Sequence, residues 1–319
     1  MVQDGSKSSS AWSGFIPQAH NPFVKNPASG FVGSANQRTA NKDYPYYYNG
    51  GFDDFRGRYL HQKLAKMDNI TVKDMMQLQN DNFSLEAADL LPLLLNALDR
   101  SDLTKEQRAI LLTLEDWDYR FEADKIAPTF YVLWSKAFYK MTWDEIYDFK
   151  DATLLKPELW RTIDLFAHEP TNKFFDQVHT NDTETAEAIA VLAFEEMTTQ
   201  LEERKQNKQS LKWVDYKGTK IDHIGRIPAF TYNNVLIGGF HHALNSVQTG
   251  FGPSWRMVIE LGDEVNAFGV YPGGQSGNPG SRYYNNMVLD WAKGDYHPLL
   301  FVDNPDEIVA HKLYEEVLQ

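Results

Sequence analysis

The feature that most constrains this chain is that its sequence changes character twice. Residues 14–50 are dense in Gly, Pro and Asn around short apolar runs, which is typical of strands joined by tight turns. Residues 69–206 instead repeat apolar side chains at helical spacing, and short strand-like segments return after residue 209. Because the two flanks share a pattern that the middle lacks, the sequence predicts an α+β fold in which a large helical insertion interrupts a sheet.

Helix boundaries in the middle region are marked by capping residues. Three threonines stand three residues before a side chain that can complete a capping box: Thr71 with Asp74, Thr104 with Gln107 and Thr142 with Glu145. The longest predicted helix runs from about Thr183 to Lys205. We therefore predict a helical insertion over residues 69–206, with residues 1–68 and 207–319 forming a partial sheet and its packing helices.

The C-terminal flank is predicted to contain short strands and a final helix. The strand-like segments, separated by Gly-rich turns, are Trp213–Tyr216, Val235–Ile237, Met257–Leu261 and Ala267–Tyr271. The helix is predicted near Tyr283–Lys293. Strands from the two flanks are expected to pair with each other across the helical insertion.

The overall charge narrows the range of partners. The chain has 31 Lys and Arg against 44 Asp and Glu, a formal charge of -13, so nucleic acid and anionic membranes are not expected partners. It has no cysteine, which excludes disulfides, thiolate metal sites and a cysteine nucleophile. No run approaches the roughly 20 apolar residues of a membrane span. Residues 1–13 lack the basic and apolar parts of a signal peptide, so none is expected on this chain.

Several familiar catalytic motifs fail on their spacing. Around Ser276, the run GQSGN has Asn where a nucleophile elbow needs its second Gly. The run that starts HE at His168 has Asn172 where a zinc-binding helix needs its second His. Adjacent His241 and His242 would point to different sides of a regular element, so both are not expected on one metal ion. We predict no metal or cofactor site from these residues.

Two separated blocks of motifs carry the strongest functional signal. The first comprises NPASGFVGSANQ from Asn26, KDYP from Lys42 and FRGRYL from Phe55. The second comprises GPSWRMVIELGD from Gly252, PGGQSGNP from Pro272 and WAKGDYHP from Trp291. In this order and at this distance, the blocks resemble the C-terminal part of the β chain in the penicillin acylase family. The resemblance implies part of an N-terminal-nucleophile hydrolase αββα sandwich with a large helical insertion.

The same resemblance implies a mechanism and two site residues. Family precursors are cut to expose an N-terminal Ser, whose hydroxyl attacks an amide carbonyl while its own α-amine acts as the general base. Asn36 matches the asparagine whose side-chain NH₂ stabilises the oxyanion, and Arg56 matches the arginine that holds the polar network of the site. Without the resemblance, Asn36 is a turn residue and Arg56 a surface partner of Asp53 or Asp54. Arg256 is expected to be structural.

The chain also departs from the family. The nucleophilic Ser of the family lies far upstream of the Asn36 block. The serines at positions 6, 8, 9 and 10 are too close to Asn36 to correspond to that nucleophile. We therefore expect the site to require the missing α chain and the N-terminal part of the β chain, and this chain to be inactive alone. Some members bind a structural Ca²⁺ through an acid after KDYP, but the nearest position here is Tyr48, so no calcium is predicted.

The leading hypothesis is the C-terminal portion of an amidohydrolase that cleaves small linear amides, such as a β-lactam side chain or an N-acyl homoserine lactone. The resemblance places the full precursor in the periplasm or outside the cell. One alternative is a non-catalytic acylase scaffold used for binding or assembly. Another is an unrelated hydrolase that uses Ser276 or Ser254.

Overall fold

The N-terminal flank contains almost no regular structure up to the first helix. The computed structural model describes residues 4–41, 43–46, 50–149, 154–302, 304–312 and 317. Before residue 55, the described residues form two single 3-10 turns, Ser8–Ser10 and Gln18–His20, and no strand. The strands predicted within residues 14–50 are therefore wrong for this described part. The backbone there lies without a neighbouring strand, and Trp12 and Phe15 are 87% and 92% exposed.

The middle of the chain is helical, as predicted. After α1 (Phe55–Leu64), the helices are α2 (Val72–Gln79), α3 (Leu85–Asn96), α4 (Lys105–Glu115), α5 (Ala127–Thr142), α6 (Asp144–Asp148), α7 (Leu159–His168) and α8 (Ala186–Gln206). Thr71 and Thr104 form complete capping boxes, which confirms those two helix starts. The start predicted at Thr142 is wrong, because Thr142 ends α5 and its hydroxyl donates to the carbonyl of Phe138. The described residues contain no helix long and apolar enough to cross a bilayer.

The main hydrophobic core lies between α5 and α8. Trp134 and Phe138 on α5 are fully buried, and the ring of Trp134 packs 5.0 Å from that of Phe194 on α8. The indole nitrogen of Trp134 donates to the carbonyl of Ala190, so its polar atom is satisfied inside the core. This core extends beyond the predicted insertion to Trp213 and Phe240, which binds the C-terminal flank to the helices.

The C-terminal flank contains less sheet than predicted. Trp213–Tyr216 is not a strand but the start of a short helix, α9 (Trp213–Lys217), which Gly218 ends in a left-handed conformation. Its first residue turns into the aromatic core, where the ring of Trp213 lies 5.0 Å from that of Phe121. Val235 and Ile237 are buried and Leu236 is exposed, but the segment is not a strand, since the amide of Ile237 bonds to the carbonyl of Val235 within it.

The other two predicted strands are confirmed. Together with a third short strand, they form the one sheet of the described chain. β1 (Arg256–Glu260), β2 (Asn266–Val270) and β3 (His297–Leu299) pair antiparallel in the order β1-β2-β3. The final predicted helix is confirmed in shorter form as α10 (Val288–Lys293). No described residue of the N-terminal flank joins this sheet, so the expected pairing of the two flanks is wrong here. The mixed α and β content confirms the coarse fold class.

Candidate functional site

The candidate site is built on the first turn of α1. The carboxylate of Asp53 accepts a hydrogen bond from the backbone amide of Phe55 at 3.0 Å, which satisfies one free donor at the helix start. Phe55 is 1% exposed and fixes this end of the helix against the core. Asp53 and Phe55 together fix the first turn of α1, and the side chain of Arg56 extends from that turn.

Arg56 reaches the second predicted site residue, Asn36. Its Nη2 donates to Asn36 Oδ1 at 2.6 Å, although the two residues are 20 positions apart in sequence. Since a guanidinium has donors only, this bond fixes Oδ1 as the acceptor atom of the amide. The NH₂ group of Asn36 then remains as a donor, and no described residue accepts a hydrogen bond from it. The structure thus brings together the two predicted residues, whose catalytic roles remain predictions.

The backbone around Asn36 lies close to α1. Asn36 has φ 65°, a left-handed conformation that Asn adopts more readily than most residues. The side chain of Gln37 accepts from the amide of Ala35 at 2.6 Å and donates to the carbonyl of Gly33 at 3.2 Å, which closes the turn. Gly57 allows the contact with α1, because a Cβ there would lie 2.7 Å from Gln37 Oε1.

Asn36 and Arg56 line an open cleft of about 740 Å³. Its opposite wall comes from the C-terminal flank and includes Ser254, Trp255 and Trp291. A cleft of this size falls within the range that holds small-molecule ligands. The arrangement therefore places an amide donor and a cation beside a space that admits a small substrate.

Beneath the first turn of α1 lies a charge cluster in which Glu86 is buried and Asp53 and His242 are partly exposed. His242 Nε2 is 2.6 Å from Asp53 Oδ2, and His242 Nδ1 contacts Glu86 Oε2. Burial opposes the charge of this imidazole, but the two carboxylates outweigh it and raise the pKa of His242 to about 9. Burial would raise the pKa of Glu86 and of Asp53, yet the attraction of His242 leaves both below their ordinary values.

Neighbouring His241 behaves differently. Burial, reinforced by the charge of His242, lowers the pKa of His241 to about 4. Candidate ligand atoms of Glu86, His241 and His242 lie within 4.8 Å of one another, since the two histidines occupy a turn and not a regular element. The expectation that adjacent histidines must diverge is therefore wrong at this turn. Both ring nitrogens of His242 are engaged by carboxylates, and the absence of a metal ion here stays a prediction.

The second motif block has a structural part in the fold, as expected for Arg256. Its guanidinium is buried and donates to the carbonyl of Trp291 at 2.6 Å and to Asn245 Oδ1 at 2.7 Å. Burial lowers the pKa of Arg256 to about 10. In the GGQSGNP run, a Cβ on Gly274 would lie 1.9 Å from the carbonyl of Tyr283, so only glycine fits that turn.

Neither alternative serine has the surroundings of a nucleophile. Ser276 Oγ accepts from the backbone amide of Asn278 at 3.1 Å. Among the residues that the structure describes, no histidine forms a hydrogen bond with the hydroxyl of Ser254 or of Ser276, and such a base is what a serine nucleophile needs. Tyr48, the position discussed for calcium, lies outside the described residues.

Comparisons with known proteins decide the family. A family model for penicillin amidase matches residues 1–306. This chain belongs to the penicillin amidase family. The resemblance of the two motif blocks is thereby confirmed, and the chain is part of a family of amide hydrolases.

Individual relatives agree with this membership. Two acyl-homoserine lactone acylases named QuiP, from Pseudomonas syringae pathovars syringae and tomato, are 23% and 24% identical to 90% and 89% of this chain. A thermostable penicillin G acylase from Alcaligenes faecalis has a similar fold, with a TM-score of 0.65 at 17% identity over 97% of this chain. The present chain covers 39% of the length of those two curated relatives and 60% of the solved one.

The sequence does not predict Asp53, Glu86 and His242 as a unit. Its motifs suggest His242 only as a metal ligand and Asp53 only as a surface partner of Arg56. The three residues are separated by up to 189 positions, so no local spacing links them. The only local signal was a histidine beside an apolar stretch in a chain rich in acids.

Proposed function

We propose that this member of the penicillin amidase family is the C-terminal portion of an enzyme that hydrolyses linear amides. In this proposal, the segment that precedes it in the family supplies an N-terminal Ser, and its α-amine removes the hydroxyl proton. Attack on the carbonyl makes a tetrahedral oxyanion, and collapse releases the amine. Water then hydrolyses the acyl-enzyme to a carboxylic acid.

Asn36 is proposed to stabilise the oxyanion through its side-chain NH₂ group. The observation that carries the proposal is the hydrogen bond from Arg56 to Asn36 Oδ1, because it leaves the NH₂ of the amide as the available donor beside the cleft. A donor that is already oriented before the reaction stabilises the oxyanion more than a donor that must first reorient. Arg56 is proposed to hold this orientation and to add positive charge near the developing anion.

The α chain of the family and the N-terminal part of its β chain are proposed as partners. On β1, Met257 and Ile259 lie on one face of the strand and are each 42% exposed, whereas Val258 on the other face is buried. An exposed apolar sheet face of this kind supports a second layer in the complete protein, as in the predicted αββα sandwich.

The periplasm or the cell exterior is the proposed location of the full precursor.

The proposed substrates are amides of small molecules, with N-acyl homoserine lactones or β-lactam side chains as the two candidate classes. The names of the relatives include an acyl-homoserine lactone acylase and a penicillin G acylase, which supports both classes. A cleft with two tryptophans in its wall is suited to an apolar or aromatic acyl group. No cofactor is required by this mechanism.

The test compares this chain alone with the chain assembled with the rest of its precursor. Chromogenic phenylacetyl and fatty-acyl amides are the substrates. We expect turnover only in the assembled form, and Asn36→Gly to lower turnover by about 10² to 10³. Glycine is chosen because it tolerates the left-handed backbone at this position.

The matched control is Asn26→Gly, since Asn26 also has a positive φ, of 48°, and lies in the same flank. It is expected to leave turnover unchanged. Full turnover in the assembled Asn36→Gly variant would refute the assignment of the oxyanion donor. An assembled protein that cleaves neither amide would favour the non-catalytic scaffold.

A further inference from the structure

Three charged side chains from distant parts of the chain meet below the candidate site. Asp53 precedes α1, Glu86 lies on α3, and His242 lies in the turn that follows Phe240. The side chain of Glu86 is 2% exposed and that of His242 is 15% exposed. Glu86 also accepts a hydrogen bond from the hydroxyl of Tyr131 at 2.6 Å, so both of its oxygens are occupied.

Two carboxylates facing its two ring nitrogens favour a proton on each nitrogen of His242. A neutral imidazole donates from one nitrogen only, and its other nitrogen would then face a carboxylate lone pair. With both nitrogens protonated, the ring donates to Asp53 on one side and to Glu86 on the other. The cluster is therefore an imidazolium held between two carboxylates.

Other ionisable groups surround this cluster, and none of them replaces the imidazolium. They are Arg56, which acts on Asp53; His241, which is uncharged near neutral pH; Lys136, which acts on His241; and Asp89, which acts on Tyr131. Arg56 is the one cation among them that acts on a carboxylate of the cluster, and it already bonds to Asn36.

The cluster connects directly to the site. Asp53 Oδ2 binds His242, while Asp53 Oδ1 accepts from the amide of Phe55 and so holds the first turn of α1. Arg56 extends from that turn to Asn36 Oδ1. Polar contacts, joined by the backbone of the first turn of α1, thus connect the buried Glu86 to the amide of Asn36.

We propose that His242 is a positioning residue of this amidase, which as an imidazolium fixes Asp53 and through it the orientation of Arg56 and Asn36. The inference rests on the proposed function, because it assigns His242 a part in aiming the oxyanion donor. When His242 loses a proton, Asp53 loses its ion pair with the imidazolium, and the first turn of α1 can shift. Displacement of a catalytic group by about 1 Å can lower turnover roughly a hundredfold.

The first experiment uses this chain alone and needs no activity. NMR of the side-chain ¹⁵N nuclei is expected to show His242 with both nitrogens protonated at pH 7 and titrating near pH 9. His242→Gln and Asp53→Asn are expected to shift the side-chain resonances of Arg56 and Asn36. Asp53→Asn keeps an oxygen for the amide of Phe55, so it tests the charge even if His242→Gln fails to fold.

The control is His179→Gln, which removes a histidine that is paired with Asp148 at the exposed surface of the helical region. It is expected to leave the resonances of Arg56 and Asn36 in place. A neutral His242 ring at pH 7, or unchanged Arg56 and Asn36 resonances in both cluster variants, would overturn the inference.

The second experiment measures turnover in the assembled enzyme. Asp53→Asn and His242→Gln are expected to lower kcat roughly 10- to 100-fold with KM within about twofold, and to remove the alkaline decline that is expected of wild type near pH 9. A variant that lowers only Tm, with kcat and the alkaline decline intact, would reduce His242 to a structural role. If the assembled enzyme has no amidase activity, the proposed function fails, whereas the NMR result on this chain stands or fails separately.

Discussion

The helical region and the N-terminal flank are held in place by different forces. Around α5 and α8, large aromatic side chains are fully buried, and apolar burial accounts for the packing. The flank that carries Asn36 has Ala40 as its one core residue among the described positions 4–46, and polar contacts to α1 link its turn to the fold. The proposed chemistry therefore lies in the less buried region, and α1 connects that region to the core.

The largest expected difference between the two regions is in the free energy of unfolding. Trp134→Ala removes a fully buried indole and leaves a cavity between α5 and α8, which is expected to lower stability by about 3 to 5 kcal/mol. Trp12→Ala, at a position that is 87% exposed, is expected to change it by less than about 0.5 kcal/mol. Urea unfolding followed by circular dichroism measures both. Similar losses for the two tryptophans would contradict the comparison.

The next effect concerns the cluster that joins the two regions. Because the pKa of His242 is raised from 6.5 to about 9, its contribution to stability is complete below about pH 6.5 and is lost as the pH rises through about 9. At 1.36 kcal/mol per pKa unit, the contribution is roughly 3 kcal/mol. Urea unfolding at pH 7 and pH 10 is expected to show this loss in wild type relative to His242→Gln.

A buried lysine makes the variant comparison necessary. Burial lowers the pKa of Lys217 from 10.5 to about 7, so between these values the unfolded chain binds more protons and stability rises with pH. This rise in stability opposes the loss of stability from His242, and it occurs in both wild type and His242→Gln. If wild type and His242→Gln respond identically to pH, the charged state of His242 contributes nothing to the fold.

A smaller effect is expected at the helix starts of the middle region. Thr104→Ala removes the side-chain oxygen that accepts from the amide of Gln107 and is expected to cost about 1 kcal/mol. Thr199→Ala, in the exposed interior of α8, is the control and is expected to change stability by less than about 0.5 kcal/mol. Thermal unfolding distinguishes the two, and equal shifts in Tm would show that the cap has no special weight.

The smallest effect is expected at Asn36 itself. Asn36→Gly keeps the left-handed backbone and removes one exposed hydrogen bond with Arg56, so the free energy of unfolding is expected to change by less than about 0.5 kcal/mol. Urea unfolding of this chain provides the measurement. A loss above about 2 kcal/mol would mean that Asn36 is mainly structural, in conflict with its proposed use in catalysis.

The sequence predicted the helical region well because the relevant signals are local. A helix satisfies its backbone hydrogen bonds within itself, and its start is set by residues three positions apart, as at Thr71 and Thr104. At Thr142, the same local pattern failed because Thr142 is the last residue of α5, whose last turns pack in the aromatic core. The strand predicted at Trp213–Tyr216 is wrong for a similar reason. Burial of Trp213 against Phe121 and Phe240 outweighs its strand propensity.

The sequence by itself determined the helical character of the middle region with the starts of α2 and α4, two strands of the sheet, the family, and the pair of candidate residues Asn36 and Arg56. Only the tertiary structure decided that the described N-terminal flank joins no sheet, because a strand forms only where a partner strand meets it. It also decided the charge of His242, whose contact with Glu86 spans 156 positions. Protonation depends on which charges lie within a few ångströms, and for His242 that neighbourhood exists only in the folded chain.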